Sequence, residues 1–244
     1  MKKLLTITAL LLTFVFALSF MGCNKTPDED AIFEGSYKQA EAEKVQELKT
    51  EIIGQPYAQE LNFKIKFDME ISMQGASQKM TGCMIFNATT PQDAIMSGNM
   101  DIEMNSQGVN VSTSANYYYA NGFMYVNGAG QKLKEPVDFD DAIENITGYE
   151  VNGNLIEILN SSNLKYDEDG DLIKLKADLV EDGFNLNVTM VLNKQTKKIV
   201  AQKILMSGTS YGETINIEMS YLPTTETVEL PTDLDTYVYQ GSSF

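Results

Sequence analysis

From residue 61 to residue 73 every second position is apolar. Leu61, Phe63, Ile65, Phe67, Met69, Ile71 and Met73 alternate with Asn62, Lys64, Lys66, Asp68, Glu70 and Ser72. A period of two sustained over that length predicts a long strand with one face on a core and one in water. Gly75 lies in a turn at 74–78, and Met80, Gly82, Met84 and Phe86 carry the alternation back on a second strand. Pro91, Gln92 and Asp93 turn the chain again. Ala94, Met96, Gly98, Met100, Ile102 and Met104 then make a third strand, and Val109, Val111, Thr113, Ala115, Tyr117 and Tyr119 a fourth. Asn121-Gly122 is a strong two-residue hairpin signal, because both residues tolerate the positive φ of a type I′ turn. It leads into a fifth strand at 123–126.

Elsewhere the period changes. After Ser36, read as an N-cap, Ala42, Val45, Leu48 and Ile52 recur at helical spacing, and Gly54 stops the run. One amphipathic helix is therefore predicted over 37–53. A second opens at Pro136 and Asp138, carries Phe139, Ala142, Ile143 and Ile146 on one side, and ends at Gly148. A third covers 154–160. Strands then resume at 164–166, 173–179, 184–192, 199–206 and 215–221, before an extended tail through Pro223 and Pro231. The reading is α+β: one antiparallel sheet of about nine or ten strands, too large to stay flat and open. It is expected to curl into a half-barrel, with one N-terminal and two mid-chain helices on its concave face.

The first 23 residues do not belong to that fold. Lys2 and Lys3, an apolar run over 4–20, and Gly22 before Cys23 resemble a bacterial lipoprotein signal. The resemblance implies that the Cys23 thiol receives a diacylglyceryl group, that the peptide is cut before it, and that the lipid holds the new N-terminus at the membrane. Two acyl chains suffice for stable anchoring where one does not. The competing reading is an uncleaved helix, since the uncharged run over 4–22 is 19 residues, close to the roughly 20 that span a bilayer. The domain plan is a signal peptide at 1–22, a flexible acidic tether at 23–35, a single curved-sheet domain at 36–231 and a C-terminal tail at 232–244. The localisation expected is extracytoplasmic and lipid-anchored to the cell membrane.

The order of lipid-modified cysteine, tether, helix, long antiparallel strands, mid-chain helices, more strands and proline-bearing tail resembles the lipoprotein-carrier superfamily of the LolA/LolB and LppX/LprG type. The turn from Leu192 to Ile199 (Leu-Asn-Lys-Gln-Thr-Lys-Lys-Ile) is similar to one common there. The resemblance implies that the concave sheet face holds acyl chains or a lipidated partner. Arginine-dependent handling of such ligands does not carry over, because the chain has no Arg.

Charge and composition narrow the function. The chain holds 18 cationic residues, all Lys, against 34 acidic ones, for a net charge of −16. Removing the signal makes it about −18, since that segment contains two lysines and no acid. Such a chain repels phosphate backbones, so no nucleic acid is expected as a partner. With no His, Ser-His-Asp and Cys-His catalysis are excluded, and a zinc site would rest on carboxylates or one thiol. No catalytic residue, metal or cofactor is assigned, and the chain is not expected to be an enzyme. Cys83, in an apolar strand pattern, reads as a small buried hydrophobe left alone once Cys23 is lipidated. Asp167, Asp169 and Asp171 around Gly170 lack the longer ligand set of a calcium loop and read as a hairpin turn. Asp138, Asp140 and Asp141 suit a helix start.

What remains is the apolar strand face. Phe63, Phe67, Met69, Met73, Met84, Met96, Met100, Met104, Met190 and Met219 are the candidate cavity residues. Flexible thioether chains suit a pocket for mobile acyl tails, although the same residues also serve as ordinary core filler. The expected function is non-covalent binding of an apolar or lipidic ligand, as carrier or chaperone. The alternative is a structural or protein-interaction module of the cell envelope with no cavity.

Overall fold

The computed structural model describes residues 29–53, 58–59, 61–90, 93–138, 151–181, 183–210 and 212–239. Cys23, the signal and most of the helix expected from Pro136 to Gly148 lie outside the described residues. In chain order the elements are β1 (Lys38–Gln39), α1 (Ala42–Ile53), β2 (Ala58–Gln59), β3 (Phe63–Met73), β4 (Ala76–Asn87), β5 (Ile95–Ser106), β6 (Val109–Ala120), β7 (Phe123–Gly128), β8 (Gln131–Pro136), α2 (Val151–Asn160), β9 (Lys165–Asp169), β10 (Leu172–Glu181), β11 (Phe184–Asn193), β12 (Lys198–Ser210), β13 (Glu213–Pro223) and β14 (Val238–Tyr239). Short 3-10 helices cover Glu29–Phe33 and Leu234–Thr236. No described helix is long and apolar enough to cross a membrane.

All the strands join one sheet. Its path runs β1-β9-β10-β11-β12-β13-β3-β4-β5-β6-β7-β8-β14, with β2 added beside β12. The pairs are antiparallel except β2 on β12 and β14 on β8. The path is open, with β1 and β14 at opposite ends, and the sheet curves as an α+β half-barrel. It is two meanders, β3–β8 and β9–β13, stitched together where β13 pairs with β3 from Thr214↔Ser72 to Pro223↔Phe63.

The hairpins follow from local chemistry. Asn121 (φ 55°) and Gly122 (φ 77°) both have the positive φ that a two-residue type I′ turn needs. Gln107-Gly108 and Ala129-Gly130 adopt the same signs without the Asn or Asp that would announce them. The latter pair introduces β8, which the alternation did not predict. Pro136 closes that strand, where the sequence suggested a helix start. The N-terminal helix begins at Ala42, later than expected, because Lys38 and Gln39 pair with Tyr166 and Lys165 as β1.

Both helices pack on the β9–β13 half. Leu48 and Ile52 of α1 and Ile158 and Leu159 of α2 join Ile173, Leu175, Val188, Met190 and Leu192 in one buried cluster. A second cluster lies on the same sheet face of the other half, around Phe63, Ile65, Met84, Met96 and Tyr117. Cys83, on the outer face of β4, is 5 % exposed, the burial expected of it.

The outer face fastens the described parts of the expected tether and tail, 29–34 and 230–239. Glu29 pairs with Lys64 and Lys66, and Glu226 lies 2.6 Å from Lys64. Phe33 is buried against Val191, Ala201 and Leu222, and Lys174 donates to the Glu34 carbonyl at 2.5 Å. The acidic segment from Glu29 to Glu34 is therefore docked on the sheet, because buried Phe33 and the lysines of the outer strands together hold it. At the other end Leu230, Leu234 and Tyr237 pack on Ala120 and Tyr125, with the Tyr125 and Tyr237 rings edge to face at 5.4 Å. Tyr118, on the outer face of β6, is half-buried under this segment. β14 then covers the free edge of β8, the usual way to blunt an unpaired strand.

Lys64 is 3 % exposed, although it sits on the polar phase of the β3 alternation. Burial alone would lower its pKa; the hydrogen bonds it donates to Glu226 and Glu29 outweigh that and raise it. Lys64→Ala leaves both carboxylates facing each other and is expected to cost roughly 3 kcal/mol in a denaturant titration. A loss under 0.5 kcal/mol would show that the clamp does not hold the N-terminal segment. Burial also pushes the Tyr37 and Tyr117 phenols up to about 12. Raised folded-state values in Lys64 and in both tyrosines give stability that is complete below the unfolded pKa and lost as pH rises through the folded one. With no His to titrate near neutrality, the melting temperature is expected to stay level from about pH 6 to 9 and fall above about pH 10. A midpoint near pH 7 in that profile would contradict the assignment.

Candidate functional site: the inner sheet face

Antiparallel register decides which side chains share a face. Across the sheet the inward row Leu175–Met190–Gln202–Tyr221–Ile65–Met84–Gly98–Tyr117–Val126 is continuous from β10 to β7. One step toward the β3–β4 turn lies Ala177–Val188–Ile204–Met219–Phe67–Gly82–Met100–Ala115. The next row holds Leu179, Leu186, Met206, Ile217, Met69, Met80 and Ile102. Met104 and Met73 follow nearer the hairpin end. All ten candidate residues therefore stand on one face.

They are not equally accessible. Phe63, Met84, Met96 and Met190 are closed to solvent at 1 % exposure or less. Phe63 is stacked between Phe86 (centroids 4.4 Å apart) and Tyr221 (4.3 Å), so that end is packed core. Phe67, Met69, Met100, Met104 and Met219 are only partly buried. Met73 is 44 % exposed at the rim, beside exposed Val109 and Val111 of the neighbouring hairpin. The face thus grades from a sealed aromatic end to an apolar, methionine-lined open end. No helix side chain joins the second cluster among the described residues.

Two glycines shape the open half. A Cβ on Gly82 would strike the Phe67 ring and lie 2.6 Å from the Asn99 carbonyl oxygen. Phe67 therefore lies flat across its cross-strand neighbour and leaves the space above it low. A Cβ on Gly98 would meet Met84 Cγ at 2.6 Å. These small residues let large neighbours lie along the sheet, and the alternation showed them only as pattern-filling positions.

The face is almost free of charge. Among the described residues the one sheet lysine at an inward register position is Lys38, exposed on edge strand β1 opposite Tyr166. The inward carboxylates, Glu135, Glu168 and Glu213, stand at its margins. Glu168 is held by Lys44 of α1 at 2.5 Å and by Lys194 at 3.3 Å. The hydrogen bond from Lys44 keeps its carboxyl below the usual range despite burial, with Lys194 adding to the effect. Gln202, 3 % exposed between Met190 and Tyr221, is a buried polar group on this face that the alternation did not mark. A cleft of ≈ 320 Å³ at the hairpin end is lined by candidate Met104 and by Val111, but otherwise mostly by outer-face residues, among them Glu70, Lys79, Glu103 and Asn110, and those charged walls do not suit an apolar ligand.

No family model and no curated protein matches the chain. Among solved structures, LprF from Mycobacterium bovis is similar at 12 % identity, with 80 % of this chain and 99 % of that chain covered and a TM-score of 0.38. A likeness at that score carries no argument about function.

Proposed function

We propose that the chain is a membrane-anchored, extracytoplasmic lipoprotein that holds an apolar or lipidic ligand on the inner face of its curved sheet, as a carrier or chaperone, without covalent chemistry. The observation that supports it best is the partial burial of Phe67, Met69, Met100, Met104 and Met219 on one continuous apolar face. An apolar strip of this kind on a folded domain marks a place where something apolar docks. Methionine fits the role because its unbranched, polarizable side chain repacks around ligands of different shape. The sealed end, with Phe63, Met84, Met96 and Met190, favours the other reading, a structural or interaction module with a filled interior.

Native mass spectrometry of the protein purified from cells separates the two. Co-purified lipid is expected, and Met69→Asn with Met100→Asn is expected to weaken its retention about tenfold or more, since each places an unpaired amide on the apolar strip. A clean apo mass and no site for a hydrophobic dye would leave the structural module as the reading.

The anchor rests on Lys2, Lys3, the apolar run, Gly22 and Cys23. Cys23→Ala is expected to release the protein from membranes and abolish palmitate labelling; membrane retention without labelling in both forms would refute it.

A further inference from the structure

Gln202 stands in the closed row of the inner face, one row from half-buried Met219 and Phe67. Register puts it level with Met190 on one side and Tyr221 on the other, and the rows around it are Ile204, Val188, Ile65 and Met219. Its side chain is 3 % exposed, and its Nε2 is buried with no hydrogen-bond acceptor among the described residues. A buried amide donor left in that state is costly, and native structures keep few of them. An apolar residue of the same length would fill the position without that penalty.

We propose that Gln202 is the specificity-determining residue of the inner face, donating a hydrogen bond to the ester carbonyl of an uncharged acyl lipid. The inference rests on the reading of that face as a ligand site and names the ligand's polar part. A primary amide supplies two N–H donors and carries no charge. It suits a carbonyl oxygen, and it offers nothing that would neutralise a phosphate or carboxylate. The rest of the face agrees. The sheet lysines from β3 to β13 take outward positions, Lys38 is exposed on the far edge strand β1, and Lys44 and Lys194, near the β9 margin, are engaged by Glu168. The inward carboxylates Glu135, Glu168 and Glu213 repel an anion. With no arginine in the chain, there is no bidentate clamp for an acidic headgroup. A hydrocarbon without a carbonyl would fit the methionine strip but leave the Gln202 donor unpaired. An anionic lipid would fit the strip but carry its charge past carboxylates. An uncharged ester avoids both penalties.

The test uses the full-length protein in a mild detergent and three probes in native mass spectrometry: dioleoylglycerol, oleate and 1-octadecene. Wild type is expected to retain dioleoylglycerol about tenfold more tightly than 1-octadecene, and more tightly than oleate. Gln202→Met, which keeps the length and removes the polar atoms, is expected to erase the preference for the ester, keep 1-octadecene binding, and melt at or above the wild-type temperature. If Gln202→Met keeps the ester preference, or wild type holds ester and hydrocarbon equally, the role of Gln202 is refuted while the apolar site stands. Tighter binding of oleate overturns the uncharged-ligand assignment. If wild type retains none of the three probes, the ligand-site reading itself fails.

Discussion

The pairing of β13 with β3 is the constraint from which the rest of the molecule follows. Each meander alone is a strip with one apolar face. The ladder from Thr214↔Ser72 to Pro223↔Phe63 sets Ile215, Ile217, Met219 and Tyr221 level with Ile71, Met69, Phe67 and Ile65. Two apolar strips thereby become one face. A slip of one residue would turn every one of those side chains to the other side, expose the methionines and bury Asp68, Glu70 and Glu218. The alternation is strict on both strands, so the register is fixed by burial and not by the loops. The pairing also joins residues about 150 apart in sequence, a late and entropically expensive contact in folding.

Once the face is continuous, its two halves are finished differently. On the β9–β13 side α1 and α2 supply Leu48, Ile52, Ile158 and Leu159, and the strand residues beneath them reach zero exposure. On the β3–β7 side the Phe63, Phe86 and Tyr221 stack seals one end. Toward the hairpins the sheet offers methionines over glycines. Close packing elsewhere makes the partial burial of Phe67, Met69 and Met100 a property of position in the fold, since the same residue types are fully buried two rows away.

Much of this architecture was legible because period-two alternation is a direct consequence of a one-sided sheet. It marks β3 to β6 and β10 to β13, and the ten candidate residues it selected do share a face. Their degree of burial was not legible, because it depends on which helix crosses which strand. β8 was missed for a physical reason: Lys132-Leu133-Lys134 has a single apolar residue, and its turn, Ala129-Gly130, reaches positive φ without Asn or Asp. Gln202 was missed because the β11–β12 pairing shifts register between Val191 and Leu192. A bulge changes which face later residues present, so Ala201 points outward and Gln202 inward, which no count along 199–206 reveals. The clamp was missed because Lys64 and Glu29 each look solvated in sequence and are brought together only by the docking of Phe33.

The distribution of charge ties these features together. A chain with 34 acidic groups and 18 lysines has few cations to place. Lys64, Lys66, Lys174 and Lys203 stand on the outer face and hold the N-terminal segment through Glu29, Asp30 and the Glu34 carbonyl. Lys132, on the same face, holds Asp233 and lies over the Tyr237 ring. Cations committed there cannot serve the inner face, which is left apolar with carboxylates at its border. The outer clamps and the apolar inner face are thus two results of one allocation: the acidic segments at 29–34 and 233–235 need lysines to dock, and the face those lysines leave is apolar.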